Sequence, residues 1–495
     1  MFMGITLLVV TLAVGIGQLS FSATDFRPAD APEPRQERTG QAPVTVTCGG
    51  SDDGAALLGA VKSAGVKMVL ISAGQVCAGG DIDIPNLRIE KGGMLKPTNG
   101  KTITLSESLE AGPYQIFANA LEGQGTVSLS RIKSLKEVYP EWWGAVDGAA
   151  ANVQMSAFQR AVDTGKRVFL AGQYVLDNSS GALMLNNGTT QVAVLQGAGM
   201  EVSLIKFTSN SKPGITIDYP HRGVPSAVLR DFAIRGAASA QPQYVAGGYG
   251  IFLPGYHDRA EHVISNLLIE NVKLDQFGDN AIRLQGATGP VSLRNVVISD
   301  IGDYGIKVTA DAKERPECPQ DVTIDGGSIH ATRGGISIDG GTSMVGSLTV
   351  RDVDIELRTA QTKPTLYLKN TYGGMYSGLT VSSSTSKLEV GDANIYLDAG
   401  ASGNSFAGFY NYASGGLNNI HDYGTNTGNT FTGGFAVNSA SPPAGLGYLA
   451  KVTGAVNDVF MNLFWAPSTF AADHDLIKAG PPNSVVVFGV KTSAR

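Results

Sequence analysis

From residue 282 onward, six side chains recur once per repeat with types suited to chemistry on a glycan: Arg283, Lys307, Ser337, Tyr367, Tyr396 and His421. Each follows the central apolar residue of a short strand-like run: Ile282, Ile306, Ile336, Leu366, Ile395 and Ile420. Side chains alternate along a strand, so if those apolar residues point inward, the six point outward. At the ordinary interstrand spacing of about 4.8 Å they form a line of two cations, then hydroxyls and flat rings, then an imidazole. Such a line suits an acidic sugar chain, with carboxylates on the cations and sugar faces on the tyrosines. Three positions before the apolar residues, again with outward parity, stand Asp279, Asp303, Arg333, Lys363 and Asp392.

Two reactions fit these residues. If the sugar is a uronate, β-elimination needs its carboxylate neutralised and the adjacent proton removed by a base near its working pKa. Arg283 or Arg333 is placed for the first task. Lys307 serves as the base if Arg283 and desolvation lower its pKa, with Tyr304 as the alternative donor or base. Asp279 and Asp303 then hold the cations, or a Ca²⁺ ion, which prefers oxygen ligands. A hydrolase would instead use Asp279 and Asp303 as a carboxylate pair roughly 5 Å apart, a separation that suits a retaining enzyme. Against both, Gly278-Asp279-Asn280 and Gly302-Asp303-Tyr304 are also ordinary turn sequences, in which Asp bonds its own backbone. On that reading Arg283 and Lys307 are solvated surface and the tyrosines are packing.

The elements that must position these residues are read from a self-similar strand. It occurs as Leu229–Ile234, Ile264–Ile269, Leu293–Ile298, Ile324–Ile329 and Val350–Ile355, with weaker copies at 378–381, 404–406, 429–431 and 457–459. The third positions fall at 231, 266, 295, 326, 352, 378, 404, 429 and 457, a period of 25 to 35 residues. Such a period marks a solenoid. Each unit alternates apolar residues and ends in Gly, Asn or Asp, which predicts strands and tight turns and leaves little length for a helix. Recurrent Asn or Asp is expected where the backbone turns left-handed or where side-chain amides stack along the axis. The runs centred on Ile282 to Ile420 supply a second strand per unit, so at least two parallel sheets run along a cylinder.

Residues 137–148, Glu-Val-Tyr-Pro-Glu-Trp-Trp-Gly-Ala-Val-Asp-Gly, are followed by Ala157–Val162 and Val168–Tyr174. This segment of about forty residues resembles the leading segment of the pectate-lyase-like β-helix superfamily, which includes polysaccharide lyases, hydrolases, epimerases and phage tailspikes. The resemblance implies an all-β, right-handed, single-stranded parallel β-helix, a polysaccharide partner and, if the likeness is to tailspikes, a trimer. It is not specific for an activity, and no Gly-His-Gly paired with Arg-x-Lys, as in polygalacturonases, is present. Where the superfamily usually has Asp-Asp after the glycines, this chain has Ala150, Ala151 and Asn152, which weakens the helix cap. A similar helix-then-strand unit begins at Asp52-Asp53-Gly54, so residues 44–136 read as a small β-rich domain before the β-helix of 137–465 and a cap at 466–495. In each, the amphipathic helix covers an open sheet end.

Composition agrees with a long, turn-rich fold: 495 residues, 63 of them glycine, 16% charged. A net charge of -6 without a Lys/Arg cluster gives no electrostatic footprint for nucleic acid. The apolar run at 1–16 and the small residues up to 22 read as a cleaved export signal, despite lacking a basic start; an uncleaved anchor is the alternative and the sole predicted membrane contact. Residues 23–43 are a Pro-rich linker. In an exported protein Cys48 and Cys77 are placed to pair, leaving Cys318; three buried thiols are the alternative. No Cys/His spacing resembles a zinc site. In the long insertion between Gly236 and Val263, His257, Asp258, Arg259, Glu261 and His262 are placed to overhang the groove, with His221 and Arg222 a weaker case.

Overall fold

The computed structural model of the protein describes residues 42–492 apart from internal stretches, the longest being 218–225, 255–265, 311–320, 440–448 and 468–476. The apolar leader, most of the Pro-rich linker, Cys318, His221 with Arg222, and the 257–262 cluster therefore lie outside the described residues.

The run Val291–Thr309 shows how one coil is made. Val291 and Leu293 point into the core on a first face, and Asn295 then turns the corner with φ 47°. Val296 and Ile298 face inward on a second face, Asp300 turns again with φ 55°, and Ile306 and Val308 fill the core from a third. Asn and Asp adopt left-handed backbone more readily than other residues with a Cβ, so a one-residue corner can be built from them. Each coil pairs in parallel with the next: Leu293 with Ile324, Ile298 with Ile329, and Ile306 with Ile336. Among the described residues, thirty strands join in this way into one continuous ladder. Each coil contributes three strands, which make three parallel sheets. Parallel crossovers of this kind wind right-handed.

Register corrects the turn column expected from sequence. The corner after the first face runs through Asp231, Asn271, Asn295, Gly326, Asp352, Gly378, Gly408, Gly433 and Asn462, all with positive φ. Asn266 and Asn457 belong instead to a second left-handed column at the start of that face, with Asp321, Ser347, Gly373, Gly403 and Gly428. Asn404 and Asn429 follow that second column by one residue and point inward. The stacked amides expected at the outer corner do form: Asn271 Nδ2 donates to Asp231 at 3.0 Å and Asn295 Nδ2 to Asn271 at 2.8 Å.

Inside, aromatic rings stack one per coil. Tyr376, Phe406, Phe431 and Phe460 have ring centroids 4.6, 4.6 and 4.9 Å apart and nearly parallel planes. Residues 44–128 carry a separate five-stranded parallel sheet. Its interior is continuous with the main one, because Phe117 packs on Trp143 at 5.2 Å and its N–H donates to Trp142 O at 2.8 Å. Helices Gly54–Ala64 and Ala151–Asp163 cover the sheets with buried Leu57 and Phe158. Ala150 at the second helix start makes no side-chain cap, as its side chain dictates. Cys48 and Cys77 form a disulfide. Among the described residues no helix is long and apolar enough to cross a membrane.

Candidate functional site on the third face

The third-face column is in register. Phe252, Arg283, Lys307, Ser337, Tyr367, Tyr396, His421 and Lys451 pair in succession through parallel strands. Arg283 and Lys307 are thus neighbours on one face. The turn before each strand brings the acidic row beside them.

Asp303 is the centre of the cluster. Its Oδ2 accepts from Lys307 Nζ at 3.3 Å and Asn280 Nδ2 at 3.2 Å, and its Oδ1 is paired with Lys363. Burial pushes its carboxyl up, but the charges of Lys307 and Lys363 outweigh burial and hold it below the usual carboxylate range. Asp279, on the preceding coil, is buried too, and among the described residues no cation bonds its oxygens. Its Oδ2 accepts the Gly247 N–H at 3.0 Å. Here burial dominates, with the charge of Asp303 adding to it, and the carboxyl is pushed above its ordinary range. Neither Asp behaves as a self-bonded turn residue alone.

Segment 243–250 lies over this pair, a feature without periodicity that sequence reasoning missed. It is held by the Val245 N–H to Gly278 O at 2.7 Å and the Asp279 N–H to Gly248 O at 3.1 Å. Gly302 allows the approach, since a Cβ there would sit 2.8 Å from Gln243 O. The segment sets Tyr244, half exposed, at the rim. The Lys363 ammonium then lies 6.0 Å from the Tyr244 ring centroid and 5.2 Å from that of Tyr304, with Lys307 5.7 Å from Tyr304. Cation–π contact and the Asp303 carboxylate together fix both lysines. Arg283 remains nearby; among the described residues its buried Nε has no hydrogen-bond partner.

Other predicted residues sit differently from expectation. Tyr367 and Tyr396 stack in parallel at 6.1 Å but are only 9% and 8% exposed, and His421 is 4% exposed. They face away from the main core, yet with Tyr304 and Ala393 they form an outer apolar cluster rather than an open floor. Tyr304 is deeply buried, so its hydroxyl is driven far above its ordinary range, and Tyr396 is pushed up to about 12 by burial and then by Asp398 and Asp392. Tyr367 donates to Asp398 at 2.7 Å. Arg333 is committed to the rim, bonded to Thr362 at 3.1 Å and to Glu389 at 2.5 Å. Lysines occupy the Asp303 oxygens that a Ca²⁺ ion would need, and among the described residues no three His, Cys, Asp or Glu side chains converge as metal ligands.

The Tyr304 ring lies directly over Gly334, where an added Cβ would come within 2.4 Å of it. Because the added Cβ would also come within 3.1 Å of Lys363 Cβ, Gly334→Ala is expected to destabilise the fold by about 1–3 kcal/mol. Urea unfolding of the variant checks this; an unchanged midpoint would mean the ring is free to shift.

No family model matches the chain. Endopolygalacturonase II of Aspergillus niger is 32% identical over 108 residues, 20% of this chain and 29% of that enzyme. The Aspergillus awamori enzyme is 35% identical over 74 residues, 14% of this chain and 20% of its own length. The chain therefore spans under a third of the curated relatives it matches. Among solved structures, the A-module of a mannuronan C-5 epimerase from Azotobacter vinelandii is 16% identical, covering 72% of this chain and 95% of that one at a TM-score of 0.45. Tailspike protein 2 of bacteriophage CBA120 is 16% identical over 72% of this chain and 52% of its own, at 0.46. With three in-register parallel strands per coil behind a helix-capped leading segment, the chain has a right-handed parallel β-helix fold.

Proposed function

We propose that this chain cleaves an acidic polysaccharide laid along the third face, with Asp279 as the acid that protonates the glycosidic oxygen. One observation carries the reading: two buried carboxylates on adjacent coils are driven in opposite directions, Asp279 toward its neutral form and Asp303 toward its ionised form. Two neighbouring acids with separated protonation are what acid-assisted cleavage needs. Asp303 is the ionised carboxylate of the pair, the base or nucleophile that complements Asp279, and it also positions Lys307 and Lys363 beside the sugar's carboxylates. The partial similarity to endopolygalacturonases supports a hydrolytic outcome.

A second reading, β-elimination with Lys307 as base, keeps the same cations and the same acidic substrate. Lys307 Nζ is engaged by Asp303 Oδ2 at 3.3 Å and is not directed to a substrate proton, so hydrolysis leads. An exported setting agrees with the Cys48–Cys77 disulfide, since such bonds persist in oxidising compartments.

Incubation with a panel of uronate and neutral glycans tests the reading. New reducing ends without absorbance from an unsaturated sugar are the expected result, and confined to the acidic glycans. Absorbance from an unsaturated product would transfer the site to the lyase reading; retention of glycan with no product would make the protein a binder.

A further inference from the structure

Four coils beyond Lys307, about 19 Å along the same face at the ordinary strand spacing, a second cluster takes no part in the proposed glycan cleavage. His421 has Nδ1 paired with Asp392 and Nε2 3.2 Å from Thr453 Oγ1. Asp392 Oδ2 also accepts from Lys451 Nζ at 2.8 Å. The imidazole is nearly buried and its plane is fixed by edge-on rings on two sides, Tyr396 at 5.2 Å and Tyr423 at 5.7 Å. Thr453 is exposed at the surface, so a substrate can reach its hydroxyl.

The protonation pattern follows from donors and acceptors. An ionised carboxylate only accepts, so Nδ1 carries the hydrogen that meets Asp392, and in the neutral ring Nε2 is left to accept from the Thr453 hydroxyl. Burial alone would raise the Asp392 carboxyl, but the bonds from His421 and Lys451 prevail and hold it down at about 2, so it stays ionised. Hydroxyl, imidazole and carboxylate in this order are a nucleophile, its base and the group that orients the base.

We infer that Asp392, His421 and Thr453 form a second active site, one that hydrolyses an acyl ester by way of an acyl-threonine. Thr453 Oγ1 bonds to the acyl carbon while its proton passes to His421 Nε2. The carbon–oxygen bond to the alcohol breaks, and the alcohol leaves with that proton. Water then gives a proton to Nε2 as its oxygen adds to the acyl carbon, and the acid departs when Oγ1 takes the proton back. Lys451, two residues from Thr453 on the same strand, leaves the same face and holds Asp392 in place through the bond from its Nζ. The natural substrate class is a small O-acyl substituent on a sugar; that choice rests on the polysaccharide reading, whereas the ester chemistry does not.

The full chain is assayed with p-nitrophenyl acetate, which contains no sugar, so failure here leaves the glycan reading standing and the reverse also holds. Wild type is expected to release p-nitrophenol, with Thr453→Ala and His421→Gln each lowering the rate roughly 100-fold or more and Thr453→Ser retaining it. A fluorophosphonate probe, mapped by mass spectrometry, is expected to attach to Thr453 in wild type and not in the His421→Gln variant. No labelling of Thr453 in the folded wild-type chain would overturn the inference, as would an esterase rate unchanged in Thr453→Ala.

Discussion

Asp279→Asn is expected to lower glycan cleavage by about 10²–10⁴-fold while leaving the melting temperature close to that of wild type. The amide keeps the shape of the carboxyl and can still accept the Gly247 N–H through its oxygen, so the loop 243–250 stays in place. What it loses is the transferable proton. The raised protonation range of Asp279 also sets a pH profile: activity should persist above the usual carboxylate range and fall on the alkaline side as Asp279 ionises. Measuring initial rates across pH for wild type and variant checks both points. If the variant cleaves at more than half the wild-type rate, Asp279 is not the acid.

The contrast between Asp279 and Asp303 depends on where the lysines fall, and that was only partly legible in sequence. The face shared by Arg283, Lys307, Tyr367 and Tyr396 follows from one apolar residue per strand and the parity of the next, both visible without coordinates. Which residues bend the chain was less legible. Two left-handed columns flank the first face, and both accept Gly, Asn or Asp, so the identity of a residue does not say which corner it turns. Asn266 and Asn457 turn the other corner for this reason, whereas Asn404 and Asn429 turn neither and point inward. Depth was hidden as well, since parity says which way Tyr367 and Tyr396 face but not that Tyr304 and Ala393 close around them. Tyr244 could not be found by period at all, because segment 243–250 belongs to no strand and reaches the site only by folding back on Gly278.

The inward-pointing asparagines are an internal ladder, and its last rung leads to the second large effect. Gly374 N–H bonds to Asn404 Oδ1 at 3.1 Å, Asn404 N–H to Asn429 Oδ1 at 2.9 Å, and Asn429 N–H to Asp458 Oδ1 at 3.1 Å. Asp458 thus stands where the pattern takes Asn, and it faces Asp422, equally buried. Asp422 already accepts from Asn426 at 2.6 Å and Asn429 at 2.7 Å, whereas among the described residues Asp458 Oδ2 has no donor. Two carboxylates in that position must share a proton, so burial together with the charge of Asp422 raises the Asp458 carboxyl well above its ordinary range. At pH below about 3.9, the unfolded value, both folded and unfolded chains hold this proton and the pair's contribution is complete. As pH rises beyond that value, the unfolded chain releases the proton while the folded chain keeps it, so stability falls by up to about 1.4 kcal/mol per pH unit until the folded pair ionises. Asp392 acts in the opposite sense, contributing above about 3.9 and losing its share as pH falls toward its depressed value of about 2. Asp458→Asn should extend the ladder, give Asp422 a permanent donor and remove the proton uptake. Urea unfolding at pH 5 and pH 8 should therefore show wild type losing stability at the higher pH and the variant losing much less. Equal losses in the two proteins would mean that no proton is shared between Asp422 and Asp458.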